Sequence, residues 1–153
     1  MNLYSSLLSI KNENINRNLI KFTLQIFYSD TLQFQECDSL LASISVKPSE
    51  QFEIKLNLSN SPKFLRIDPG ALYSIQINPT CDIIRLNQQE EVEMASFSPN
   101  TSLLKSHDLH IEVINNQMLM VCGFDPWYIF ENPFVGSDIC IKCTSQISIG
   151  ISE

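Results

Sequence analysis

Apolar and polar side chains alternate one for one along most of this chain. Phe22, Leu24, Ile26 and Tyr28 share one parity, with Lys21, Thr23 and Gln25 on the other. Ala42, Ile44 and Val46 alternate with Ser43 and Ser45, and Phe52, Ile54, Leu56 and Leu58 with Glu53, Lys55 and Asn57. Tyr73, Ile75 and Ile77 repeat the pattern, as do Leu109, Ile111 and Val113 and the run Ile139–Ile151. A period of two marks a half-buried strand. Shorter apolar runs, Met118–Phe124, Tyr128–Phe130, Ile83–Leu86 and a weak one at Leu32–Phe34, add further strands. No stretch keeps a helical period over a dozen residues; a short helix is predicted only near Ser102–Ser106.

Two segments are punctuated by Asp-Pro: Lys63-Phe64-Leu65-Arg66-Ile67-Asp68-Pro69-Gly70 and Gly123-Phe124-Asp125-Pro126-Trp127. Proline cannot donate to a sheet ladder and holds the preceding residue extended. Both segments therefore read as strands that stop at a corner, and Asn78-Pro79 as the end of the strand beginning at Tyr73. Residues Asn87–Asn100, with Gln88-Gln89-Glu90-Glu91, read as a strand edge leading into an exposed loop. Asn115-Asn116 reads as a hairpin turn. Met1–Asn18 is an Asn-rich lead-in, a strand or a loosely packed segment. Roughly ten short strands at this spacing predict one domain over residues 1–153, an all-β, single antiparallel β-sandwich of jelly-roll type.

Composition narrows the function. With 153 residues and 44% hydrophobic content, the chain can bury a core. The net charge of −7 and ten scattered Lys and Arg exclude a clustered basic face for nucleic acid or anionic lipid. Five cysteines at irregular spacing read as reduced thiols of a cytoplasmic protein rather than a disulfide framework. Met1–Ile10 has no basic residue before its apolar part, so no secretory leader is expected, and with no apolar run of about 20 residues no membrane span is expected.

Candidate chemistry is sparse. Arg66 and Asp68 share a strand face and read either as an ion pair pinning the turn or as a polar pair for sugar hydroxyls. Asp125 carries the same two readings. Trp127, Tyr128 and Phe130 form an aromatic cluster in which Trp127 and Ile129 take one face, and Tyr128 and Phe130 the other. At most one face is core, so one aromatic set is left to a loop, a second domain or a ligand. Cys140 and Cys143 lie three apart on a strand, hence on opposite faces, which argues against a metal or redox pair. His107 and His110 have the same spacing and no nucleophile context. Glu90, Glu91 and Glu93 read as a solvated face rather than as paired glycosidase carboxylates. No cofactor, metal or catalytic residue is expected.

Four features occur in order: Gln25-Ile26-Phe27-Tyr28-Ser29-Asp30, then Phe52-Glu53-Ile54-Lys55-Leu56, then Leu65-Arg66-Ile67-Asp68-Pro69 with the strand Tyr73–Ile77, then Phe124-Asp125-Pro126 with the strand Ile139–Ile147. The set, from Phe22 to Ile149, resembles the β-sandwich accessory domains attached to bacterial glycosyltransferases that build O-antigen and rhamnan-type surface polysaccharides. That resemblance implies a non-catalytic carbohydrate-binding or accessory module whose partner is a glycan or a glycosyltransferase catalytic domain. Trp127, Tyr128, Asp125, Arg66 and Asp68 are its carbohydrate-binding candidates. The sequence departs from the pattern in having no α/β nucleotide-sugar domain, and in placing Trp127 where a polar residue is expected. The alternative is a protein–protein assembly module without glycan affinity.

Overall fold

The computed structural model describes residues 19–100 and 103–148. The Met1–Asn18 lead-in, Ser102 and the end of the last strand lie outside the described residues. The elements are β1 (Ile20–Ser29), β2 (Ser39–Val46), β3 (Gln51–Leu58), β4 (Phe64–Asp68), β5 (Ile75–Asn87), β6 (Glu90–Phe97), β7 (Lys105–Ile114), β8 (Gln117–Glu131) and β9 (Asp138–Ser148). All pair antiparallel in one nine-stranded sheet of order β2-β1-β4-β8-β5-β9-β3, with β6 added to β5 and β7 to β8. The end strands β2 and β3, joined by the turn at Lys47–Glu50, lie side by side, so the sheet curls into a nearly closed barrel. The expected all-β antiparallel class holds, but these strands do not separate into two facing sheets.

The difference comes from β5 and β8. Each was expected as two short strands broken at a proline, and each is one long bent strand. In β5 the ladder to β9 skips from Ile77↔Gln146 to Thr80↔Thr144, and Asn78 and Pro79 form the bulge between. Asn78 takes φ 49, and its side-chain oxygen accepts the Met118 N–H at 2.8 Å. In β8, His107↔Trp127 is followed by Leu109↔Cys122, so residues 123–126 oppose Asp108 alone. Asp108, at φ 52, accepts the Asp125 N–H at 2.8 Å, and a Cβ on Gly123 would strike its carboxylate. Proline costs no ladder bond inside a bulge, where the strand bends and the twist increases. Each bent strand then changes neighbour: β8 pairs β5 through Leu119–Val121 and β4 through Tyr128–Glu131. Switching partners carries one sheet around the corner.

Other departures have equally local causes. Gln88 and Gln89 (φ 53 and 68) make a two-residue turn with the geometry of Asn115–Asn116 (φ 52 and 64). Positive φ at both positions matches the strand twist, so Glu90–Phe97 is strand β6 rather than loop. Lys105 and Ser106 open β7 and are not helical, and Leu32–Phe34 is bend and coil. There is no helix among the described residues, and so none long and apolar enough to cross a membrane.

The barrel is filled by the parity that the alternation marks. Ile26, Leu65, Ile67, Ile83, Met120, Phe130, Ile139, Ile141 and Ile147 are essentially sealed from solvent. Phe97, from β6, stacks on Phe130 with ring centroids 4.6 Å apart. After the Asp68-Pro69 corner, Gly70 takes φ 75, and a Cβ added to it would overlap the Thr23 carbonyl. Any side chain there meets backbone, so the corner requires glycine.

Candidate functional site

The outer face of β1, β4, β8 and β7 carries a stack of charged and aromatic side chains. Leu65 and Ile67 of β4 point inward, so Arg66 and Asp68 point outward. The Arg66 Nε and Nη2 donate to the Asp68 Oδ1 and Oδ2 at 2.7 and 2.8 Å, a bidentate pair. The guanidinium carbon lies 4.6 Å from the Phe27 ring centroid, 5.0 Å from that of Trp127 and 6.0 Å from that of Phe34. Phe27 is buried on this outer face and meets Phe34, from the β1–β2 loop, edge-on at 6.4 Å.

On the β7 side, the His107 ring stacks on Trp127 at 5.2 Å with planes 14° apart. His107 Nδ1 donates to the Asp125 carbonyl at 2.9 Å, which fixes the orientation of the ring. Trp127 is thus flanked by β4's guanidinium and β7's imidazole, with the Lys105 ammonium 5.8 Å from its centroid. Partial burial pushes the Asp68 carboxyl above its usual range. The hydrogen bonds and charge of Arg66 oppose that rise, while the negative charges of Asp125 and Glu36 add to it.

Four of the five expected site residues therefore belong to one surface: Arg66, Asp68 and Trp127 in the stack, and Asp125 on the bulge beside it. Tyr128 does not join them. It points into the core and is 4% exposed, among Cys81, Cys122 and Cys143. Strand parity requires this: with Phe130 in the core, Tyr128 must follow, and Trp127 and Ile129 take the outer side.

The sequence reading missed the most exposed aromatic pair. Tyr73 is 63% and Phe124 67% exposed, with ring centroids 6.2 Å apart and planes inclined at 43°. Tyr73 precedes β5 rather than lying within it. It takes φ 54, held by its N–H on the Gly123 carbonyl at 3.0 Å, and Leu72 beside it is also exposed. A bulky residue in the left-handed region is a strained placement that aims its ring outward. Phe124 stands out because the β8 bulge turns it out of the inward parity. Among the described residues, the Asp125 carboxylate next to it accepts no hydrogen bond.

Elsewhere the geometry is structural. Cys143 faces the core and Cys140 the outer surface, as their spacing requires. The hydrogen bond with Cys143, and then burial, push the Cys81 thiol up, and burial pushes that of Cys122 up to about 12. Glu93 pairs with Arg85 at 2.7 Å, and His110 meets Glu112 at 3.1 Å on open surface. Among the described residues, no three His, Cys, Asp or Glu side chains are placed to hold a metal ion.

Comparison of the chain with protein-family models, with curated proteins and with solved structures found no match.

Proposed function

We propose that this chain is a non-catalytic carbohydrate-binding module, an accessory domain of the kind that serves glycosyltransferases of bacterial surface polysaccharide synthesis. The observation that carries the reading is the open aromatic pair Tyr73 and Phe124 beside the free Asp125 carboxylate. An exposed ring offers its face to the apolar side of a sugar, and a carboxylate with free lone pairs accepts from sugar hydroxyls. Arg66, Asp68 and Trp127 take a supporting part: their stack holds the far end of the β8 bulge that presents Phe124. The cytoplasm is the compartment in keeping with the Cys81 and Cys143 thiols, hydrogen-bonded rather than disulfide-linked with sulfurs 3.9 Å apart.

The test is a titration of the isotope-labelled protein with rhamnose- and mannose-containing oligosaccharides. Saturable shifts at Tyr73, Phe124 and Asp125 with one sugar class are expected, and they should vanish in Tyr73→Ala and Phe124→Ala. Absence of shifts with every glycan tried, or equal binding by both variants, would remove the reading. A second reading, an assembly module without glycan affinity, is favoured by the Trp127 packing, which leaves neither indole face to a sugar.

A further inference from the structure

The outer surface of β6, β5 and β9 holds two hollows that share one carboxylate. The smaller, about 300 Å³, lies over Ile84 and is walled by Glu91, Val92, Glu93 and Met94. The larger, about 440 Å³, passes Leu86, Asn57 and Cys140 and is edged by Gln89, Glu91 and Asp138. Ile84 and Leu86 are two apart on β5 and face the same way, so the hollows repeat at about 7 Å, the same-face spacing of an extended chain. Their floor is apolar: Ile84 and Cys140 face each other across the β5–β9 ladder and are buried on the outer face. Their rim is apolar too, with Met94 61% and Val92 44% exposed. Val92 owes its position to the register shift that sets Arg85 opposite Glu93 and Leu86 opposite Glu91.

Charge selects the occupant. Glu93 is neutralised by Arg85, but Glu90 and Glu91 have no cationic partner among the described residues, and one Asp138 oxygen takes only the Asn60 N–H. Lys55 and Lys142, opposite each other on β3 and β9, close the strip on its far side.

We infer that this strip docks an extended basic segment of a partner protein. Apolar side chains at alternate positions enter the two hollows, and flanking Lys or Arg side chains reach Glu90, Glu91 and Asp138. The inference does not depend on glycan binding, which is proposed for the separate surface at Tyr73 and Phe124.

The test uses a short fluorescein-labelled peptide with two valines at alternate positions flanked by lysines, and its counterpart with glutamates in place of the lysines. The lysine peptide should raise the anisotropy saturably and the glutamate peptide should not. Added salt should weaken binding, and Glu91→Lys should weaken it about tenfold or more. Met94→Asp should weaken it as well. Both positions are exposed, and far-ultraviolet circular dichroism checks that the variants fold. Amide shifts should fall on β5, β6 and Cys140. No saturable binding, equal affinity in Glu91→Lys, or shifts centred on Tyr73 and Phe124 would each overturn the inference.

Discussion

Replacing Arg66 by alanine separates a structural stack from a decorative surface ion pair. Arg66 makes two charge-assisted hydrogen bonds to Asp68, with side chains only 23% and 20% exposed, and touches Phe27, Phe34 and Trp127. An exposed pair would contribute about 0–1 kcal/mol. Here the cation–π contacts together add about 1–2 kcal/mol where the guanidinium is partly desolvated, and Asp68 is left half-buried without a partner, at about 1–3 kcal/mol. We expect Arg66→Ala to lose about 3 kcal/mol at neutral pH, and Arg66→Lys, which keeps charge but not the planar fork, about half of that. Trp127 is the only tryptophan, so urea unfolding followed by its emission reads the variant and the stack together.

The pH dependence sharpens the test. Burial already raises the folded Asp68 pKa above its ordinary 3.8, and Arg66 is what restrains the rise. Without Arg66 the folded pKa moves higher. Between 3.8 and that value the folded state binds more protons than the unfolded one, so stability rises as pH falls through the window. The deficit of Arg66→Ala should therefore shrink on acidification. A loss below about 1 kcal/mol, or a deficit that is flat with pH, would refute the reasoning.

Gly70→Ala should destabilise by well over about 1 kcal/mol in urea unfolding, because it combines a positive φ with a collision against the Thr23 carbonyl. Gln76→Met should raise the unfolding free energy by about 1 kcal/mol, since the Gln76 Nε2 is buried with no hydrogen-bond partner among the described residues. In timed alkylation of the native protein, exposed Cys37 should react first and Cys140 more slowly, while Cys81, Cys122 and Cys143 should wait for denaturant.

Strand identity was legible wherever side chains alternate against a single core, as in β1, β2, β3 and β9. Strand length was not. Proline read as a terminator at Pro79 and Pro126, yet a bulge removes the ladder bond that proline cannot make, and only the neighbouring strands show where a bulge falls. The Gln88–Gln89 turn was missed because glutamine carries no special tolerance for positive φ; tertiary pairing of β5 with β6 imposes it. For the site, parity alone grouped Arg66 with Asp68 and separated Trp127 from Tyr128. Which side was core depended on Phe130 meeting Phe97 from a distant strand. Tyr73 and Phe124 escaped notice because their exposure arises from a turn and a bulge, both of which interrupt the period on which the reading rests.

The pairing of β3 with β9 has a consequence for biosynthesis. Among the described residues, Gln51–Leu58 finds its ladder partner only in Ile139–Gln146, so one wall of the barrel waits until the strands between β3 and β9 have been made. The β1–β2 hairpin can form early, but β9, which seals β3, is made after every other described strand. Until then β3 exposes an unpaired edge and Phe52, Ile54 and Leu56, the surface that holdase chaperones and misassembly compete for. Closure depends on contacts distant in sequence, which places folding toward the slow end of the range for small domains, on the order of milliseconds to seconds. Truncation within β9 should thus yield a chain that never closes, rather than a smaller stable barrel.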